Sequence, residues 1–396
     1  MNLFVPMLGA FASGLFPALI ASALVFYVAL PGVSLCDVSL VASASFFGKV
    51  AASACGGRLS DRLGRTAAIR LAGVLSVAGA VLSVFVGSSF GAAVAGVGLE
   101  GFALGLFSIL LPLHLIETQP VARHGRSSAG YQFANAAGML TGALAGMLVA
   151  AKGTGPSEAI WLDFLSFLPI AVLFMALSFC LKGAERPSRP NPRRGLRLRP
   201  HAQALFRAVA LLSLTSAMGI GAIACSSVLL LQRAGLKGAS ANGVYLLTGF
   251  VLLAASGLSV LAQRRLSRLA TLRIGCAGAA ASLVLMSVTL GRLPSCCFAA
   301  ALLLYTGLFA FGPGAAAWTI AGEILPQEIR AKGMSLSILA NQVVTAVLTA
   351  AFLPLAAHVG FAPVFLFFAL AAVGYCFLVR PWTSRSPVPS RDDVKL

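Results

Sequence analysis

Acid is scarce in this sequence. Only 11 Asp and Glu occur in 396 residues, and charged residues of both signs make up 10%. A soluble globular domain carries about 25% charged residues, so that class is excluded. The eight cysteines (36, 55, 180, 225, 276, 296, 297 and 376) form no CxxC spacing and no Cys/His cluster. Most sit in apolar runs, where Cys behaves as a small hydrophobe; a disulfide framework or zinc site is not expected. No G-x-x-x-x-G-K-[ST] occurs, which argues against ATP-driven chemistry. No Lys or Arg precedes the first apolar run, unlike the n-region of a signal peptide, and that run extends to about Val33, so it reads as a first spanning helix. No catalytic group, metal or cofactor is expected from these patterns.

What is present is hydrocarbon: 59% hydrophobic residues and a mean hydropathy of +0.93. The chain is therefore read as an integral membrane protein, with the lipid bilayer as its first partner. A net charge of +18 could suggest nucleic acid, but no basic–aromatic face supports it, and no nucleic-acid partner is expected. Basic residues in such chains gather in cytoplasmic loops facing anionic lipid. A span needs about 20 mostly apolar residues. Twelve fit, at roughly 3–30, 38–57, 67–88, 90–114, 127–151, 159–181, 205–231, 240–262, 270–291, 296–321, 333–356 and 361–380. All are read as helices, because isolated strands cannot satisfy their backbones in lipid. Placing both termini on one side gives that side 24 of the 29 Lys and Arg and the other side four, with Lys49 left inside the second span. That asymmetry predicts cytoplasmic termini.

The segment Lys182–Pro200 is the one long polar break, rich in Pro and Arg. The expected organisation is a six-helix bundle over 1–181, a basic cytoplasmic linker over 182–204, a second bundle over 205–381 and a tail over 382–396. An internal repeat supports the division: Glu117-Thr118-Gln119-Pro120 is answered by Glu323-Ile324-Leu325-Pro326. The cluster Gly57-Arg58-Leu59-Ser60-Asp61-Arg62-Leu63-Gly64-Arg65 is answered by Arg264-Arg265-Leu266-Ser267-Arg268, which lacks the acid and the glycine. The first cluster reads as a short aqueous loop between two buried segments. Gly57 and Gly64 would allow close approach and a tight turn, and Asp61 would favour the start of the following helix.

Two six-helix halves with this cluster after the second span resemble the major facilitator superfamily, all-α and pseudo-symmetric. Pro112-Leu113-His114-Leu115-Ile116-Glu117-Thr118-Gln119-Pro120 is similar to the sugar porters' P-x-Y-x-x-E-x-x-P. Gly312-Pro313-Gly314 through Trp318, then Glu323, Pro326, Arg330 and Gly333, is similar to their G-P-G-x-x-x-W…E-x-x-P-x-x-x-R-x-x-G. The resemblance covers about residues 40–345. It implies that Asp61, Arg62, Arg65, Glu117, Arg123, Arg126, Glu323 and Arg330 form cytoplasmic ion pairs latching the halves together, with His124 standing where the family usually has arginine. Gating control is expected to concentrate in the N-terminal copy.

Trp318 fits the family's aromatic position and Asn341 its amide. Thr215 and Ser216 stand where members carry glutamines, free either to bond a ligand or to bond back to a helix carbonyl. Gly221, Ala143 and Leu252 replace other polar positions. Phe16 and Val97 fall where proton-coupled members carry Asp and Arg, which favours facilitated diffusion. Charge inside the membrane is costly and functional by default. At 1.5 Å rise, Lys49 lies about 13 Å above Arg58 and Glu100 about 18 Å above Pro112, so a Lys49–Glu100 pair is expected, or Glu100 as a proton-linked carboxylate. The row Gly138, Gly142, Gly146 reads as close helix packing. The resemblance implies a monomeric secondary transporter of a small sugar-like solute, working by alternating access. A carrier of another metabolite or drug, or a non-transporting membrane sensor, is the alternative.

Overall fold

The structure is a computed structural model that describes residues 3–84, 90–118, 124–181, 201–263, 265–326 and 329–379. Regular structure among these residues is entirely helical. The N-terminal half supplies α1 (Phe4–Val28), α2 (Leu35–Leu63), α3 (Arg65–Val84), α4 (Phe90–Thr118), α5 (His124–Lys152) and α6 (Pro156–Phe179). The rest supplies α7 (Ala202–Ala217), α8 (Ile220–Arg233), α9 (Ala239–Ala262), α10 (Arg268–Thr289), α11 (Ser295–Phe311), α12 (Pro313–Ile324), α13 (Arg330–Val359) and α14 (Phe361–Val379). α7 with α8, and α11 with α12, each form one broken span. Eleven spans are then long and apolar enough to cross a membrane, and the shorter apolar helix Phe361–Phe377 adds a twelfth. Most of the expected linker and the whole tail lie outside the described residues.

Hydrophobic attraction cannot join helices in lipid, so small residues must let backbones touch. The glycine row of α5 does this against α1. A Cβ at Gly138 would collide with the Phe11 carbonyl oxygen, and one at Gly142 would lie 2.6 Å from that of Leu15. α4 uses two faces in the same way. Gly101 meets Ser45 of α2, with 2.5 Å between its would-be Cβ and the serine Cα, while Gly96 meets Ser83 of α3. Aromatics fill the gaps: the Phe107 ring packs tilted against Phe174 at 4.3 Å between centres, and Phe16 against Phe167 at 4.9 Å. Within the first half α1 packs on α5 and α6, and α4 on α2 and α3. Within the second, α10 packs on α11 and α14, and α13 on α7. The halves join through α2–α13, α5–α9 and α1–α8.

The stretch 57–65 is not a loop. α2 runs through Leu63, and Gly64 alone (φ 85°) separates it from α3. Once outside hydrocarbon, a helix of Arg, Leu and Ser has no reason to stop. Asp61 therefore sits in the last turn of α2, not ahead of a helix, and Gly57 faces open space with nothing within 4 Å of a Cβ. Nearby, Arg70 donates to the carbonyls of Ser178, Phe179 and Leu181 at 3.3–3.4 Å. A cation thus caps the negative end of α6.

Candidate functional site

A cavity of about 210 Å³ lies between the halves, walled by α1, α2, α5, α8, α9 and α11. Its polar edge comes from Ser13, Lys49, Asn135, Cys225, Ser227, Tyr245, Thr248, Tyr305 and Thr306. Four hydroxyls spend their protons on their own helices: Ser13 on the Gly9 carbonyl (2.9 Å), Ser227 on Ile223 (2.7 Å), Thr248 on Tyr245 (2.6 Å) and Thr306 on Leu302 (2.9 Å). Each then shows the cavity lone pairs, an acceptor suited to a solute O–H. Asn135 Nδ2 donates to the Ala10 carbonyl at 3.2 Å, tying α5 to α1 at the cavity wall. Tyr305 O–H donates to the Met218 carbonyl at 2.9 Å. Lys49 is the cavity's one cationic side chain; its Nζ lies 5.1 Å from the centre of the Phe46 ring, a cation–π contact. The larger groove over α10 and α14, by contrast, is walled by Ala, Val, Leu, Phe and Cys376, a surface suited to acyl chains.

The expected Lys49–Glu100 pair is not formed. Glu100 is fully buried and its Oε1 accepts from Ser76 Oγ of α3 at 2.7 Å, while Lys49 turns to the cavity. Glu100 does not line the cavity and is no solute ligand in this state. Trp318 also lies off the cavity wall and is 38% exposed. Gly312 leaves helical backbone (φ −105°, ψ −86°) and α12 restarts at Pro313, so Trp318 does not follow the register of α11. Thr215 donates to the Leu211 carbonyl at 3.0 Å and meets the Tyr375 hydroxyl at 3.1 Å. Ser216 accepts from Asn341 Nδ2 (2.6 Å) and Thr345 Oγ1 (2.7 Å), and the same amide donates to the Leu212 carbonyl at 2.7 Å. Asn341, Thr215 and Ser216 therefore clip α7 to α13 and α14.

Of the residues expected to latch the halves, Asp61 and Arg62 are exposed, and Arg65 Nη1 donates to Ser60 Oγ at 2.8 Å. Arg123 and the side chains of Glu117, Arg126 and His124 lie outside the described residues. Glu323 pairs with Arg268 rather than Arg330, whose Nε donates to the Leu325 carbonyl at 3.2 Å. The second, acid-free copy of the basic cluster is thus engaged. Its Arg268 opens α10 beside the end of α12, so this pair joins elements of one half.

Of the polar cavity residues the sequence reading had only Lys49; it missed Ser13, Asn135, Cys225, Ser227, Tyr245, Thr248, Tyr305 and Thr306. The available signal was a polar side chain within an apolar span, and only the tertiary fold says which of these face inward.

The architecture has known counterparts. The family described as Sugar (and other) transporter matches residues 11–182 and 192–383. The chain belongs to the sugar transporter family. This sugar transporter is 27% identical over 395 residues to D-xylose-proton symporter-like 1 of Arabidopsis thaliana, covering 87% of the chain and 78% of that protein. It is 26% identical over 354 residues to the facilitated glucose transporter member 2 of solute carrier family 2 from Sus scrofa, covering 76% and 66%. A crystal structure of a D-xylose-proton symporter superposes with a TM-score of 0.83 at 20% identity, over 95% of this chain and 96% of that one. The protein is a multi-pass membrane transporter of the major facilitator fold, not an enzyme, and it works by alternating access.

Proposed function

We propose that the transporter carries a monosaccharide-type solute, held in the cavity between α1, α2, α5, α8, α9 and α11 while the halves rock about it. One observation carries this reading: both halves contribute acceptor hydroxyls, with Asn135, Tyr245 and Tyr305, to one shared cavity. A volume of about 210 Å³ falls below the roughly 300–1,000 Å³ of drug-sized sites, which suits a small polyol. The relatives named for xylose and glucose transport point the same way.

The carrier works as a facilitator. Phe16 packs between Phe164 and Phe167, and Val97 is fully buried, so neither position offers a proton relay. Both termini lie in the cytoplasm, which puts the Val28–Leu35 and Lys152–Pro156 turns outside. The protein acts as a monomer. The test is counterflow of radiolabelled D-xylose and D-glucose in proteoliposomes of the purified protein. Saturable exchange without stimulation by a pH gradient is expected. Flux of amino acids or amphipathic cations in place of any sugar would refute the solute class.

A further inference from the structure

Lys49 stands in the wall of the cavity with no counter-charge. No carboxylate lines that cavity, and among the described residues none pairs with Lys49. Of the acids whose side chains are described, Asp37 accepts from Ser34 in a capping box, Glu100 accepts from Ser76, and Glu323 pairs with Arg268. Asp61 and Glu158 are exposed at helix ends, and Asp163 is fully buried on α6. Phe46 stabilises the ammonium on one side and Cys225 lies beside it, while Ser227 and Asn135 line the same cavity.

A charge inside a membrane protein without a partner is expensive and marks a ligand. The hydroxyls around it already present lone pairs, which take the O–H donors of a sugar ring but give a carboxylate nothing to bond. Lys49 supplies the missing donor, up to three N–H groups, and a charge-assisted bond is about twice as strong as a neutral one.

From this juxtaposition we propose that the preferred solute is an anionic sugar, a hexuronate or aldonate whose carboxylate pairs with Lys49 while its hydroxyls meet Ser227, Thr248 and Asn135. The inference rests on the sugar-carrier reading and narrows it. It makes Lys49 a specificity-determining residue.

The experiment is uptake by the full-length protein in proteoliposomes of D-glucuronate and D-gluconate beside D-glucose and D-xylose, for wild type, Lys49→Met and Lys49→Arg. Expected is wild-type uptake of the acids at least ~10-fold above the neutral sugars. The acid-to-neutral ratio should fall by at least that factor in Lys49→Met and be largely kept in Lys49→Arg. Should Lys49→Met fail to fold, the wild-type preference and the Lys49→Arg profile decide. Wild type carrying glucose or xylose in preference to both acids overturns the anionic solute and leaves the sugar carrier standing. Flux of neither acids nor neutral sugars overturns both.

Discussion

Glu100 and Lys49 are the two charges the sequence singles out within the spans, beside the fully buried Asp163 of α6, and their depths follow from sequence by counting 1.5 Å per residue. Their directions do not. On α4, Gly101 and Gly105 share one face and meet Ser45, Lys49 Cα and Ala52 of α2. Gly96 and Glu100 lie about 140° away and meet Ser83 and Gly79 of α3. A difference of one residue in the facing row sends the carboxyl to Ser76 instead of the lysine. Asn341 teaches the same lesson: the amide was legible, but its partners Leu212 and Ser216 are set by how α13 rotates against α7. Glu100 Oε2 has no hydrogen-bond partner, so Ser76 is the one group holding this carboxyl in place. Ser76→Ala should cost roughly 1–3 kcal/mol, the usual penalty for orphaning a buried polar group. The check is a lower melting temperature in detergent, with Ser76→Thr close to wild type. Equal melting of all three would show that the bond contributes nothing.

At the scale of elements, span number and limits were readable because hydrophobic length sets them, but breaks within spans were not equally visible. Gly312-Pro313 announces itself through proline. Met218-Gly219-Ile220 is apolar, carries no proline and reads as continuous helix, yet α7 ends there and α8 begins. Gly219 adopts φ 82°, and the Phe368 ring occupies the place a Cβ would need. The break leaves the Met218 carbonyl without its helical donor, and Tyr305 of α11 supplies one across the bundle. This tyrosine also lines the cavity, so a change there bears on both the solute and the hinge. Gly219→Ala meets both the phenyl ring and a backbone penalty of about 1–2 kcal/mol. It should lower the melting temperature and slow exchange. Tyr305→Phe should cost about 1–3 kcal/mol while keeping the ring. Thermal unfolding of the two variants measures both; a Gly219→Ala protein that melts like wild type would mean that α7 and α8 can straighten without cost. At the other end of the span series, the charged run after Gly57 reads as a loop because charge leaves the membrane. Charge says where hydrocarbon stops, not where a helix does.

For the whole molecule, the plan of repeated halves and the number of crossings were legible, because one follows from repeated motifs and the other from hydropathy. Which end is shut was not, since closure is a matter of a few ångströms between helices of different halves. Beyond the cavity, at the end reached by the C-terminal part of α1 and the first turn of α9, the halves also meet. There Ser22 of α1, Gly146 of α5 and Asn242 of α9 converge. A Cβ on Gly146 would lie 2.5 Å from Ser22 Cβ and 3.7 Å from Asn242 Oδ1. Ser22 Oγ and Asn242 Oδ1 are buried without hydrogen-bond partners. Contact between the halves at this point is thus made by the small side chains of α1 and α5 against Asn242 of α9, with polar atoms that have no hydrogen-bond partner. It also contains no ion pair, and the pair Arg268–Glu323, with side chains 47% and 56% exposed, stays within one half; exposed pairs of that kind contribute about 0–1 kcal/mol. Replacing Ser22 and Asn242 with cysteine, after removal of the exposed Cys36, Cys180 and Cys296, allows a short bifunctional thiol reagent to bridge α1 and α9. Solute exchange should then stop and return on reduction, while a bridge between cysteines at 268 and 323 should leave it running. Exchange that continues with the α1–α9 bridge verified by mass spectrometry would show that the halves separate elsewhere.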